Sequence, residues 1–389
     1  MSIKPSFLKN IVGQIPRGGN FYQRDRIIHR IYRRLEAGSH IFISAPRRAG
    51  KTSIMRFLED SPQQGYAFLY ISVEDVESLE EYFETLSLEL LGSKAVSSLV
   101  KVSEKAQGFL DEFAKRIKKI RLWSVEVETL QDEPPTYSEE FERLMRDMDT
   151  SGFAIVLLID EFPVALERIA KTHGNEAAVE FLHANRTIRQ RAKPGIQFVY
   201  TGSIGLPNIA RQLDATATIN DLNVVEVPPL TQEEGLEFTQ KLLDAYQVSC
   251  AAGAIVHMLR SIDWLMPFFI QLVVQMLSDE FELHGRPITT ETVDLVLEKA
   301  SNHRNNIYFE NYYSRLDKSL PKEEAGLAKQ ILSRIAEEGE VSNDSLRELS
   351  GAARILEILE FDGYIHLRAE AYRFNSPILQ RWWVKYADG

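Results

Sequence analysis

The feature that most constrains this chain is a short strand signature joined without a break to a glycine-bearing loop and a helix. His40-Ile41-Phe42-Ile43-Ser44 is β-branched, aromatic and bounded by a turn, which predicts a buried β-strand. Ala45-Pro46-Arg47-Arg48-Ala49-Gly50-Lys51-Thr52 follows at once, and residues 53–58 read as a helix. Strand, loop and helix in that order are the setting of a phosphate-binding loop, here with Ala45 in place of the usual first glycine. The chemistry asks for these residue types. Backbone N–H groups around Gly50 must wrap the phosphates, where a side chain at Gly50 would obstruct them, and the helix N-terminus adds positive partial charge. In this reading Lys51 reaches the β- and γ-phosphates and the Thr52 hydroxyl coordinates Mg2+.

A second signal lies about a hundred residues further on. Residues 155–159 are all apolar and deliver Asp160 and Glu161 to the C-terminal end of a strand, the edge where parallel sheets bind ligands. Asp160 would hold Mg2+ through water, and Glu161 would polarise the attacking water as catalytic base. Thr201 and Ser203 end the next strand, where a polar side chain could touch the γ-phosphate or the lytic water; a turn closing on Gly202 is the equal alternative. The chain has no Asn-Lys-x-Asp stretch to read guanine, so ATP is favoured over GTP.

These motifs sit in a pattern of alternation. Strands at 40–44, 67–71, 154–161, 197–203 and 223–227 alternate with helices at 24–37, 78–92, 95–121, 136–148 and 176–191. Strands apolar throughout and separated by helices predict an α/β core whose parallel sheet is covered on both faces. After Pro228-Pro229 the pattern becomes all-helical, opening on a Thr231-x-x-Glu234 capping box. From Pro321 it changes again. Helices near 323–337, 343–349 and 352–360 precede strands at 364–367 and 372–374 and a terminal helix with Trp382 and Trp383, the order of a winged helix. The expected division is an N-terminal lead at 1–20, a P-loop ATPase core at 21–230, a helical lid at 231–317 and a winged-helix domain at 318–389.

Composition closes off several classes. With 45 Lys+Arg against 56 Asp+Glu the net charge is −11, so a uniformly basic nucleic-acid coat is excluded, though a local patch is not. The single cysteine, Cys250, excludes an internal disulfide framework or a cysteine zinc cluster, and the eight histidines show no His-x-x-x-His spacing. No stretch reaches ~18 consecutive apolar residues, so no transmembrane helix and no membrane partner are expected. Residues 1–20 lack an apolar core of signal-peptide length, and the expected location is cytoplasmic.

The chain resembles the archaeal-type ATPases of the wider AAA+/STAND group of P-loop NTPases. The matching pieces span most of its length: residues 45–53 of the phosphate loop, Leu158-Ile159-Asp160-Glu161-Phe162, Tyr200-Thr201-Gly202-Ser203-Ile204-Gly205, Phe374-Asn375-Ser376-Pro377 and Trp382-Trp383. Phe21-Tyr22-Gln23-Arg24-Asp25 is similar to the family's box near adenine, with Gln23 and Asp25 replacing its Gly and Glu. The resemblance implies that Arg24 lies at the nucleotide, and that Ala45, Pro46, Arg47, Arg48, Ala49, Gly50, Lys51, Thr52 and Ser53 form the phosphate cradle. Pro267 would approach adenine from the lid; of the family's Gly-x-Pro only the proline is kept. The resemblance also implies an arginine that completes the site between subunits. That holds for AAA+ ATPases, whereas STAND switches need none; Arg211 is the candidate, against a solvated helix residue, and with no clear second sensor in the lid Arg260 is the nearest stand-in, against a surface residue. Arg47 and Arg48 would contact nucleotide, lid or partner, or lie solvated beside the phosphates.

The implied function is Mg2+-dependent ATP hydrolysis that drives a conformational or assembly switch, with homo-oligomerisation on ATP binding. A DNA-associated ATPase and a scaffold that hardly turns over are the alternatives. The third helix of the winged domain offers Arg354 but also Glu357 and Glu360, with Arg368 and Arg373 nearby, which favours docking over duplex reading. The stronger cationic feature is Lys115, Arg116, Lys118, Lys119 and Arg121 beside Trp123. It reads as a solvated helix face or as a contact for nucleic acid or an acidic partner.

Overall fold

Five strands with apolar interiors pair in parallel to form the sheet of the first of two units. The computed structural model describes residues 8–101, 103–123, 135–150, 152–202 and 205–387, leaving out the side chains of Leu122 and Trp123. One unit comprises Gln23–Ser44 and Lys51–Val227, and the other comprises Met1–Tyr22, Ala45–Gly50 and Pro228–Gly389.

In the sheet unit the order is α1 (Asp25–Glu36), β1 (His40–Ser44), α2 (Lys51–Asp60), β2 (Tyr66–Ser72), α3 (Leu79–Gly92), α4 (Lys94–Val100), α5 (Glu104–Trp123), α6 (Tyr137–Asp147), β3 (Ala154–Asp160), α7 (Phe162–His173), α8 (Asn175–Arg191), β4 (Ile196–Thr201), α9 (Leu206–Gln212) and β5 (Leu222–Glu226). Spatially the strands run β2-β3-β4-β1-β5, all parallel. β1, β3 and β4 are interior strands, and Ile41, Ile43, Val156, Leu157, Leu158 and Val199 are almost wholly buried. Each such side chain contributes about 1.5–3 kcal/mol. Register aligns the strand ends: Ile159 pairs with Tyr200, and Ile43 pairs with Thr201. Asp160, Thr201 and Ile43 therefore stand at one level on three neighbouring strands.

The parallel sheet agrees with the alternation read from the sequence. Three details differ. The third strand stops at Asp160, and Glu161 instead caps a helix, α7, that the sequence pattern did not disclose. The N-cap makes no side-chain hydrogen bond and carries none of the usual Ser, Thr, Asp or Asn, so the start signal is missing. The stretch read as one helix at 95–121 is two, α4 and α5, and the Ser103 hydroxyl accepts the Ala106 N–H at 3.3 Å where the second begins. α9, with a proline in its first turn, is also new.

The second unit contains α10 (Gln232–Ala245), α11 (Ala254–Ile262), α12 (Pro267–His284), α13 (Thr290–Ala300), α14 (Asn306–Ser319), α15 (Lys322–Glu338), β6 (Val341–Ser342), α16 (Asn343–Arg347), α17 (Ala352–Phe361), β7 (Ile365–Arg368), β8 (Ala371–Phe374) and α18 (Pro377–Tyr386). Thr231 and Glu234 form the capping box expected at the start of α10. The three helices, two-stranded wing and terminal helix expected after Pro321 are present, and β6 adds a third antiparallel strand in the order β6-β8-β7. α18 buries Trp382 and Trp383, whose indole N–H groups donate to Asn306 at 2.8 Å and Ser333 at 3.1 Å. Among the described residues no helix is long and apolar enough to cross a membrane.

One buried histidine ties stability of the sheet unit to pH. His40 Nδ1 accepts the Phe198 N–H at 3.2 Å, so Nε2 carries the proton and donates to the Arg189 carbonyl at 3.0 Å. Burial, with the Arg189 charge adding to it, lowers its pKa from 6.5 to about 4. A depressed folded-state value means that the neutral ring's stability is fully present above the unfolded pKa and is lost as pH falls through the folded one. The loss amounts to about 3 kcal/mol in total. Urea titrations at pH 7 and pH 4 should show a smaller acid loss for His40→Gln, which has no ring proton to gain, than for the wild type. An equal loss in both would remove His40 from the acid response.

Candidate active site

The site grows from the ends of β1, β3 and β4. Within the sheet unit, α2 begins at Lys51 and turns one face, Thr52, Arg56 and Glu59, toward β2 and β3, as residues four and three apart on a helix must. Thr52 Oγ1 donates to Asp160 Oδ2 at 2.7 Å. The Tyr70 hydroxyl donates to the same oxygen at 2.9 Å, and the Glu161 N–H donates to Oδ1 at 3.1 Å. Asp160 itself is 3% exposed, so its charge stands almost wholly on these donors.

Tyr70 is held in turn. The Arg56 guanidinium lies 3.4 Å over its ring, Arg56 pairs with Glu59 at 2.8 Å, and Glu59 Oε1 accepts the Tyr70 N–H at 3.1 Å. Burial, and after it the Asp160 charge, raises the Tyr70 phenol well above its ordinary 10.0, which keeps it a donor. The sequence reading missed Tyr70. Its signal is the strand period: Tyr70 pairs with Leu158, two residues before Asp160, in the strand beside it.

Glu161 follows with φ 60 and ψ 29, the left-handed region that costs a non-glycine residue about 1–2 kcal/mol. The residues on either side enforce it. Asp160 is locked in the strand, while Phe162 is buried with its ring centroid 4.6 Å from that of Tyr200 and 5.1 Å from that of Phe181. Gly202 lies against this turn. A Cβ there would overlap the Pro163 ring, with Cγ at 2.8 Å, and would meet Glu161 Oε2 at 3.5 Å. The Glu161 carboxylate therefore lies beside the end of β4.

The remaining sequence candidates fall as follows. Lys51 is 7% exposed and Ser53 5% at the start of α2. Thr201 is fully buried, and its hydroxyl donates to the Ile43 carbonyl at 3.1 Å, a cross-link between β4 and β1. Ser203 lies outside the described residues. Arg24 is buried at the start of α1, and Arg211 is exposed on α9, donating to Asn208 at 3.1 Å. In the other unit, Pro267 opens α12 and Arg260 is exposed near the end of α11. Ala45 and Ala49 are buried, Pro46, Arg47 and Arg48 half-buried, and Gly50 has φ +90, which only glycine adopts readily. The Arg48 side chain turns to Phe268 and Tyr308 of its own unit.

Thr52 and Asp160 supply two hard oxygens 2.7 Å apart. That donor set suits Mg2+, which takes one or two protein oxygens and fills its octahedron with phosphate oxygens and water. Among the described residues no group of three or more His, Cys, Asp or Glu side chains is built to hold a metal alone.

No protein-family model matches the sequence, and no curated protein matches it. Solved structures do match over nearly the whole length. A Walker-type ATPase of Pyrococcus abyssi is 17% identical, with TM-score 0.60, over 96% of this chain and 99% of that one. The fold is that of this ATPase. The ORC2 protein of Aeropyrum pernix, solved with ADPNP and ADP, is 11% identical with TM-score 0.54 over 96% of this chain and 95% of that one.

Gly202→Ala should force the Pro163 ring and the start of α7 to shift, costing about 1–3 kcal/mol. A thermal melt unchanged from wild type would mean that this turn is looser than its packing indicates.

Proposed function

We propose that the protein binds ATP with Mg2+ through residues 45–52 and hydrolyses it slowly, turnover serving as a conformational or assembly switch. The observation that carries this reading is the Thr52–Asp160 pair at 2.7 Å with Glu161 strained beside it. Strain held at one acidic residue next to a metal-type oxygen pair is characteristic of catalytic turns. In this assignment Lys51 draws the β- and γ-phosphates, Thr52 and Asp160 hold the ion, and Glu161 takes the proton of the attacking water. Mg2+, when bound, supplies the positive charge that offsets the phosphate oxygens. The ADPNP and ADP of the Aeropyrum pernix structure support nucleotide binding by a chain of this fold. The Thr201 hydroxyl, engaged with Ile43, has a smaller part in this scheme than its position at a strand end implies.

The switch reading is favoured over a duplex reader. The outward face of α17 carries Glu357 and Glu360, and its Arg354 pairs with Glu324 at 3.0 Å. Arg373 pairs with Glu340. On α5, Arg116 is bound to Glu112 and Glu140, while Lys115, Lys118 and Lys119 are exposed and suit an acidic partner. Arg211, exposed on α9, is the residue to test for a contribution to a neighbouring copy's site.

Three variants test the assignment. Lys51→Ala should abolish binding of a fluorescent ADP; unchanged affinity would sink the site. Glu161→Gln should bind ATP as wild type does and turn it over at least about 100-fold more slowly; full activity would remove Glu161 from the chemistry. Light scattering of that variant with and without Mg-ATP then distinguishes assembly from a self-contained switch. Tyr70→Phe should raise the Mg2+ concentration needed for half-maximal turnover by about tenfold, because it frees the carboxylate that Tyr70 orients. A Mg2+ dependence identical to wild type would reduce Tyr70 to packing.

A further inference from the structure

The sequence leaves Arg48 in contact with nucleotide, lid or partner, or solvated beside the phosphates. Its geometry is specific. The backbone has φ 63, left-handed, two residues before Gly50 at φ +90. Positive-φ residues at alternate positions bend successive N–H groups toward one centre and form an anion-binding nest. Glycine takes this shape freely, whereas arginine needs something to hold it there. The holder is in the same unit. The guanidinium carbon lies 3.7 Å from the centroid of Phe268, the second residue of α12, and Nη2 donates to the Tyr308 carbonyl of α14 at 3.2 Å. Phe268 is itself 5% exposed and backed by Tyr308, with centroids 5.6 Å apart. The neighbouring Pro46 is also pinned: Gly363 packs so closely on it and on Trp264 that a Cβ at Gly363 would lie 3.1 Å from Pro46 Cγ and 2.9 Å from Trp264 Cη2.

We infer that Arg48 is a positioning residue for the phosphate loop and not a nucleotide ligand: its side chain, clamped on Phe268 and Tyr308, holds the left-handed backbone on which the loop's anion nest depends. This deepens the ATP reading above and rests on it. Nucleotide affinity is then set partly by an aromatic ring some 220 residues away in sequence, so anything that moves the start of α12 alters the loop.

The test is titration of full-length protein with a fluorescent ADP. Arg48→Ala keeps the steric penalty and loses the clamp, so affinity should fall about tenfold. Arg48→Gly loses the same side chain but takes the left-handed backbone without cost, so it should return to within about threefold of wild type. Phe268→Leu, which keeps an apolar side chain for the core, should weaken binding several-fold alone and add nothing in the Arg48→Gly background. Arg48→Gly as weak as Arg48→Ala would overturn the inference, because the side chain would then act on the nucleotide itself. So would a Phe268→Leu effect that persists in the Arg48→Gly background, which would place Phe268 at the ligand. A wild-type protein that binds no ADP would overturn the ATP reading itself, before any variant is compared.

Discussion

Register across three parallel strands is the constraint from which the rest of the site follows. β4 lies between β1 and β3, and Ile43, Thr201 and Asp160 reach the same level. A slip of one residue would turn each side chain to the opposite face of its strand. Asp160 would leave the Thr52 and Tyr70 hydroxyls, and a buried carboxylate without those donors is among the costliest groups a core can hold. The apolar runs in β1 and β3 therefore do more than bury area. By fixing the pairing they bring a hydroxyl on α2 within 2.7 Å of a carboxylate more than a hundred residues later in the chain.

Arg48 and Glu161, one in the glycine-bearing loop and one at the end of β3, stand in left-handed conformation, and aromatic rings lie against each stretch. Phe162, stacked on Phe181 and packed against Tyr82 and Tyr200, draws the chain inward immediately after Glu161. Phe268 takes the side chain of Arg48 itself. The two solutions differ in reach. At Glu161 the anchor is the next residue, within the sheet unit itself. At Arg48 the anchor lies on α12, some 220 residues away in sequence but in the same unit. The first arrangement suits a group whose position must not vary. The second suits a group whose position is open to control.

What could be read from the sequence was what is local. β1 was bounded at His40 and Ser44 by its own composition, and Asp160 and Glu161 stood out because five apolar residues preceded them. The capping box at Thr231 marked α10 for the same reason. What escaped depends on partners far away or on missing signals. α7 starts on a glutamate in an unusual conformation, so no cap announced it. β6 is two residues long, too short for any alternation to register. Tyr70 looks like one more aromatic in a buried strand until the register puts its hydroxyl beside Asp160. For Arg48 the sequence leaves nucleotide, lid, partner and solvent open, because nothing in residues 45–52 reveals which; the ring on α12, in the stretch read as lid, decides among them.

The C-terminal unit spends its distinctive residues inward. Tyr364 is buried and donates to the Tyr312 carbonyl at 2.7 Å, Trp382 and Trp383 bond to α14 and α15, and Gly363 fits against Pro46 and Trp264. Its outward helix face, by contrast, carries two carboxylates and a paired arginine. A reader of nucleic acid draws much of its affinity from cations that neutralise phosphates. Close packing around the loop's own residues is instead what a unit needs if its task is to hold that loop in shape.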